Sequence, residues 1–366
     1  MKINQSSEII RFMNDEPQRI KDHLKSNQFR LLENDLQLGL RTILRTFYNG
    51  LKKDATTSKN YRTNGNLFFK MKHSIKVHID IWRSYSLCIL TAPYSSIEFA
   101  QGFYNRASFF LHLKKYTESL KDIEIGLQCS ACTENLRIKL HCLKIDCFIK
   151  INDRQEAESC INQSMQLLFK CNLDEKTKLK YRKILEQAKN DALAIKRKPK
   201  TTPETSYEKF KEKMSMLSDP HEKIPCASNA LDLKYDEKFG RHVVATRDIK
   251  IGELLVKEKF YSTNLTKDEI MRHCWHCGKV VYSSIPCPDC AYAMFCSEKC
   301  QQEAWNEYHD IECKLARKLE VRDTLNGVNG MLFCTKTLMK ILREVGGIEL
   351  LKLKLEELDK CSGMYT

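Results

Sequence analysis

The chain has 366 residues, enough for two or three domains, with 42% hydrophobic content, ordinary for globular protein. No apolar run approaches the length that crosses a bilayer and Met1 to Ile20 does not resemble a signal sequence, so a soluble intracellular chain without membrane contact is expected, cytoplasmic or nuclear. The net charge is +14, and 32 Lys and Arg against 20 Asp and Glu in residues 1–190 supply most of it.

Residues 1–60 read as an N-terminal helical segment, with Ile9, Phe12 and Met13, then Leu36, Leu40, Ile43, Leu44 and Phe47 at helical spacing. Lys52 to Asn66 is polar and breaks that pattern. Residues 61–193 then repeat. Gly65, Phe68 and Phe69 open a helix pair that closes at Ala92 and Pro93; Tyr104, Ala107, Tyr116 and Leu120 mark a second; Leu143, Cys147, Ala157 and Ile161 mark a weaker third. The steps from Ala107 to Ile145 and from Ser119 to Ala157 are both 38 residues. Small residues sit where paired helices must approach, and this part resembles a short tetratricopeptide array with a stretched first and a degenerate third unit. Such an array offers a concave surface to a peptide or partner helix; a role as buttress for the next domain stays open. Cys129 and Cys132 read as a plain turn, since no second pair lies nearby.

Residues 194–227 form a basic, proline-bearing linker (IKRKPKTTPETS), read as a domain boundary that leaves the array with its own core. Lys196, Arg197, Lys198 and Lys200 suit either a nuclear import patch or an extended charged linker. In residues 228–273, short β-type runs cover Ala230 to Leu233, His242 to Ala245 and Leu254 to Glu258, with Gly240 and Gly252 at the turns.

Residues 274–313 carry the strongest pattern. Cys274, Cys277, Cys287, Cys290, Cys296, Cys300, His309 and Cys313 follow one another with gaps of two, nine, two, five, three, eight and three residues. Zn²⁺ takes four thiolate or imidazole ligands in a tetrahedron, and a two-residue gap lets two thiolates grip one ion. Cys296 with Cys300, and His309 with Cys313, each stand one helical turn apart. The spacing predicts two interleaved structural sites: Cys274, Cys277, Cys296 and Cys300 on one ion, Cys287, Cys290, His309 and Cys313 on the other. Trp275, Phe295, Trp305 and Tyr308 are expected to fill the space between them, and His273 and His276 to lie at the surface. Seven of the 17 cysteines lie here and ten are scattered, which suits a reducing compartment. The segment has Lys279 and Lys299 against six acids, and seven thiolates with two Zn²⁺ take its formal charge from −4 to −7. Such a surface repels a phosphate backbone, so nucleic acid is not expected to bind through it.

With this ligand order and the wording HCWHCGK, IPCPDC and FCSEKCQQEAWNEYHDIEC, the segment resembles a MYND zinc finger. The preceding run ALDLKYDEKFGRHVVATRDIKIGELLVKEKFY resembles the opening of a SET domain. In combination, the chain resembles the SET and MYND domain (SMYD) family of protein-lysine methyltransferases, most closely its tetratricopeptide-bearing branch. The resemblance implies S-adenosylmethionine as cofactor, with Lys238, Gly240, Arg241 and His242 at its site. Arg241 and His242 stand where many relatives have a small residue or a second glycine. It further implies protein partners, histone or non-histone lysine substrates among them, and a monomeric chain. The family's Asn-His pair, channel tyrosine and three-cysteine site are not found, so no catalytic residue is assigned and a truncated, inactive form is expected. Residues 314–366 read as helices: Leu315 to Arg322, Met331 to Val345 and Ile348 to Leu358. The fold class expected is α+β, mostly helical, with a helical array, a partial β-rich SET segment, an inserted two-zinc finger and C-terminal helices. The rival reading is a zinc-dependent interaction adaptor built on array and finger.

Overall fold

The computed structural model describes residues 52–70, 75–195, 217, 219–258, 260–266, 269–317 and 325–360. The helix read over the first fifty residues and the basic patch at Lys196 to Lys200 lie outside them. Among the described residues the chain is mostly helical with two small sheets, as the α+β reading expects.

Seven helices form the array: α1 (Ala55–Phe69), α2 (Ile75–Thr91), α3 (Ile97–His112), α4 (Tyr116–Gln128), α5 (Glu134–Lys150), α6 (Arg154–Lys170) and α7 (Glu175–Leu193), each packed on the next. Side-chain oxygens of Asp54, Ser96, Thr133, Asp153 and Asp174 accept from backbone N–H groups of the first turn, satisfying donors that a helix start leaves open. The 38-residue period is visible in the backbone. Lys114 and Asn152 hold left-handed φ of 59° and 61°, and the N–H groups after them reach back to Phe110 O at 2.8 Å and Phe148 O at 2.9 Å. Two α3-type helices thus end in the same turn.

α1 begins at Ala55, inside the stretch whose polarity reads as a break. That reading is corrected for a physical reason: the helix buries Ser58 and Gly65, small residues without an apolar period, and only Phe68 and Phe69 at its end pack against the core. Gly65 has to be small. A Cβ there would lie 2.5 Å from the Tyr85 ring.

β1 (Leu231–Asp236) and β2 (Gly240–Ala245) form an antiparallel hairpin running from Leu231 opposite Ala245 to Asp236 opposite Gly240. The run at Leu254 to Glu258 is not a strand; it touches the first segment through one bridge, Ala227 to Val256, flanked by Ser228 N to Leu255 O and Lys257 N to Cys226 O at 2.7 Å each. The finger contains β3 (Ile285–Pro286), β4 (Met294–Phe295), α8 (Glu298–Ala304), a single π turn (Trp305–His309) and α9 (Asp310–Ala316). α10 (Leu325–Val345) and α11 (Ile348–Lys360) follow, with α10 against the π turn and α9.

The array does not keep a core of its own throughout. α3 to α5 surround one cluster with Phe99, Phe103, Ile123 and Leu140, and α5 to α7 a second with Ile138, Ile145, Ile161 and Leu185. The largest cluster is shared: Ile81, Trp82, Tyr85 and Leu90 of α2 and Phe109 and Phe110 of α3 join Trp275, Met294, Phe295, Tyr308 and Leu315. The expectation of an independent array core therefore fails at its first two pairs. The contacts join residues more than 160 positions apart, which no local periodicity encodes.

Candidate metal centre

The β3–β4 ladder pairs Ile285 with Phe295 and Pro286 with Met294, which folds the segment back on itself. Gly278, at φ 68°, closes the first knuckle, and its N–H bonds to Cys274 O at 2.9 Å. Ser297 caps α8 by accepting from Cys300 N at 3.2 Å, so Cys296 stands just before the helix and Cys300 in its first turn. The π turn then inserts a wider loop of backbone and re-phases the helix, which sets His309 and Cys313 on one buried face.

These elements gather all eight ligands in the interleaved sets. Cys274, Cys277, Cys296 and Cys300 form one group and Cys287, Cys290, His309 and Cys313 the other, the donor atoms of each group lying within 4.8 Å of one another. The Cys277–Cys296, Cys296–Cys300 and Cys287–Cys313 sulfurs are 3.8, 3.4 and 3.7 Å apart, and the Cys290 sulfur is 3.7 Å from His309 Nε2. A Zn–S bond of about 2.3 Å sets a tetrahedron edge of about 3.8 Å, whereas a disulfide needs about 2.05 Å. The residues therefore fit two zinc ions. Four protein donors per ion leave no place for a reacting water, so the metal supplies cross-linking and no Lewis-acid step. The second group is fully buried, the first opens to solvent at Cys277.

Glu312 escaped the sequence reading. It is fully buried, and its Oε2 faces His309 Nδ1 at 2.6 Å and accepts from Trp275 Nε1 at 2.8 Å. A carboxylate on Nδ1 fixes the tautomer that leaves Nε2 free for metal and raises the imidazole's basicity. The signal was present: Glu312 follows His309 by three residues, on the same helical face. His276 is corrected from a surface to a packed position. It stacks on Tyr308 at 6.0 Å between centroids, its side chain is 14% exposed, and burial holds its imidazole below the ordinary value. His273 is also half-buried, 2.8 Å from Glu269.

Two lysines lie close to the finger. Lys336 of α10 is buried; it donates to Trp275 O at 2.8 Å and Thr263 O at 3.2 Å and sits 4.6 Å from the Tyr308 ring centroid. Burial pulls its pKa down to about 8, against the opposing charge of Glu312. Lys53 donates to Leu90 O at 2.8 Å; burial takes it to about 8 too, opposed by the Cys290 and Cys287 sulfurs.

The finger is bolted to the array through Ser283 and Ser284. Arg106 of α3 makes a two-point ion pair with Asp122 of α4, at 2.7 and 2.8 Å, and donates to Ser284 O at 2.7 Å. The Ser283 hydroxyl bonds the same carboxylate, and Trp82 Nε1 donates to Tyr282 O at 3.0 Å.

The four residues expected at the cofactor lie together on the hairpin tip. Gly240 has φ 61°, the three-residue loop before it is held by Phe239 N to Asp236 Oδ1 at 2.7 Å, and His242 Nδ1 lies 3.0 Å from Gly240 O. A left-handed glycine after a three-residue loop is what such a hairpin requires by itself. Open space lies over it: a Cβ at Gly240 would meet nothing within 4 Å. Among the described residues nothing packs over this tip at Gly240.

Comparison with known proteins agrees with this geometry. Residues 274–313 match the MYND finger family. The chain is 28% identical over 290 residues to the mouse protein-lysine N-methyltransferase SMYD4, covering 72% of this chain and 35% of that protein. The chain is thus similar to SMYD4 proteins over most of its length and to MYND fingers over residues 274–313. Human SMYD4 is 27% identical over 317 residues, 78% of this chain and 37% of its own. A SET and MYND domain-containing protein of Dictyostelium discoideum is 38% identical over 96 residues, a quarter of each chain. The chain spans little more than a third of the length of the SMYD4 proteins it matches. No helix among the described residues is long and apolar enough to cross a membrane.

Proposed function

We propose that this chain is the zinc-built recognition and scaffold part of a SET/MYND-type protein-lysine methyltransferase, acting in cytoplasm or nucleus on protein partners. The single observation that carries the reading is the pair of interleaved ligand groups behind a glycine-turned hairpin, in a chain SMYD4-like over most of its length. The tetratricopeptide-like array and the MYND finger hold the partner, and Lys238, Gly240, Arg241 and His242 form one wall of an S-adenosylmethionine site. That wall alone does not enclose the cofactor. Isothermal titration of the chain with S-adenosylmethionine tests this: no heat at millimolar ligand is the outcome expected of one wall, and saturable binding would make the chain a cofactor-competent enzyme part.

The second reading is a zinc-dependent adaptor with no part in methyl transfer. The shared core of array and finger favours it, since one continuous body presents both binding surfaces. It predicts partner binding that is lost on zinc removal and indifferent to S-adenosylmethionine, whereas the first reading ties the partner to a methylated lysine.

A further inference from the structure

A cleft of about 490 Å³ opens where the entry to α1 meets the end of α9. Its array wall is Lys52, Lys53, Pro93 and Tyr94; its finger wall is Pro288, Asp289, Lys314 and Arg317. Four cations face one acid. Lys53 is committed to Leu90 O, but Lys52 and Lys314 have no acidic partner among the described residues, and Arg317 Nε is buried there without an acceptor. Lys314 and Arg317 also complement the carbonyl end of α9, a purely structural use. That use does not account for Lys52, which comes from the other wall. The cations all lie outside residues 274–313, so the acidic balance of the MYND finger conceals this surface from any count made on the finger alone.

We infer that the cleft docks an acidic peptide segment of a protein partner, with two carboxylate side chains taken by the cations of the opposed walls. Its volume falls in the range of sites that hold an organic ligand and far exceeds the room a single small anion needs. Pro93, Tyr94 and Pro288 supply flat apolar contact for the chain between the acids. One aromatic among the lining residues is too little for a base-stacking platform. The inference stands whether or not the chain takes part in methyl transfer.

The test uses the full zinc-loaded chain and a fluorescein-labelled eight-residue peptide with paired glutamates on either side of a tyrosine, read by anisotropy. Saturable binding is expected that weakens with salt, as an exposed ionic contact must. The double variant Lys52→Glu/Arg317→Glu should lose at least about tenfold in affinity while keeping two zinc ions, and the distant Lys183→Glu on α7 should lose nothing. If the double variant loses zinc, Lys314→Ala, at an exposed position, replaces it, with an expected loss of about threefold. Equal binding of the glutamine version of the peptide overturns the inference, as does wild-type affinity in zinc-loaded variants. Complete displacement by millimolar inorganic phosphate means a small-anion site only, and tighter binding of an oligonucleotide with the same loss in the variant means a nucleic-acid site; either result also overturns it.

Discussion

Glu312 illustrates how one buried carboxylate serves two masters. It holds the His309 tautomer and accepts from the Trp275 indole N–H, so one oxygen ties the second metal group to a buried aromatic of the shared core. Glu312→Gln should weaken zinc affinity at that group about 10- to 100-fold and leave the first group untouched, measured by competition with a chromophoric chelator. Cys296→Ser acts on the other side: it leaves Cys274, Cys277 and Cys300 as an incomplete set, and zinc analysis should fall from two ions per chain towards one. At this scale the sequence was most legible. Ligands announce themselves by spacing, because a tetrahedron and a tight knuckle fix how many residues lie between them. His276 was missed because its place depends on a partner, Tyr308, brought in by tertiary packing, whereas Glu312 could have been found from its spacing to His309.

Among the elements, α10 owes its place to charged residues in unusual positions. Arg343 grips Asp310 with two bonds of 2.8 Å and caps the carbonyls of Trp305 and Asn306 in the π turn, while Lys336 reaches the backbone beneath the finger. A buried lysine with a lowered pKa costs stability below that pKa, where the folded state must keep it charged. Between about pH 8 and its ordinary 10.5 the unfolded chain binds more protons than the folded one, so stability rises with pH across that window. Lys336→Met should flatten that rise, checked by urea unfolding of the zinc-loaded chain between about pH 7.5 and 10. Across α3 and α4 the Arg106–Asp122 pair is fully buried, and Asp122→Asn, which leaves Arg106 without its counter-charge, should cost about 3 to 5 kcal/mol in the same assay. Helices α2 to α6 fall where the sequence reading marks its helix pairs, since apolar residues recur on one face. The start of α1 did not show, because close packing of Ser58 and Gly65 leaves no apolar trace there.

For the whole molecule, zinc and the helical array are one thermodynamic problem. Trp82, Phe109 and Phe110 lose their cover if the finger opens, so chelation should speed amide exchange in α2 and α3 as well as in residues 274–313. The α5 to α7 cluster has no finger residue in it and should keep its protection, as hydrogen-exchange mass spectrometry would show. Uniform protection of α2 and α3 after chelation would mean that the shared cluster contributes nothing to stability. The union of array and finger was not readable, for a polar linker says nothing of which faces meet across it.

That union has a consequence for how the chain is made. Phe110 and Trp275 are 165 positions apart. At the usual pace of synthesis, about 5 to 20 residues per second, the apolar faces of α2 and α3 leave the ribosome roughly 10 to 30 s before the finger that covers them exists. Their burial then waits on metal as well, since a MYND finger without zinc has too small a core to close. A nascent chain of this design is exposed to chaperone capture for that whole interval, and a cell short of zinc extends it.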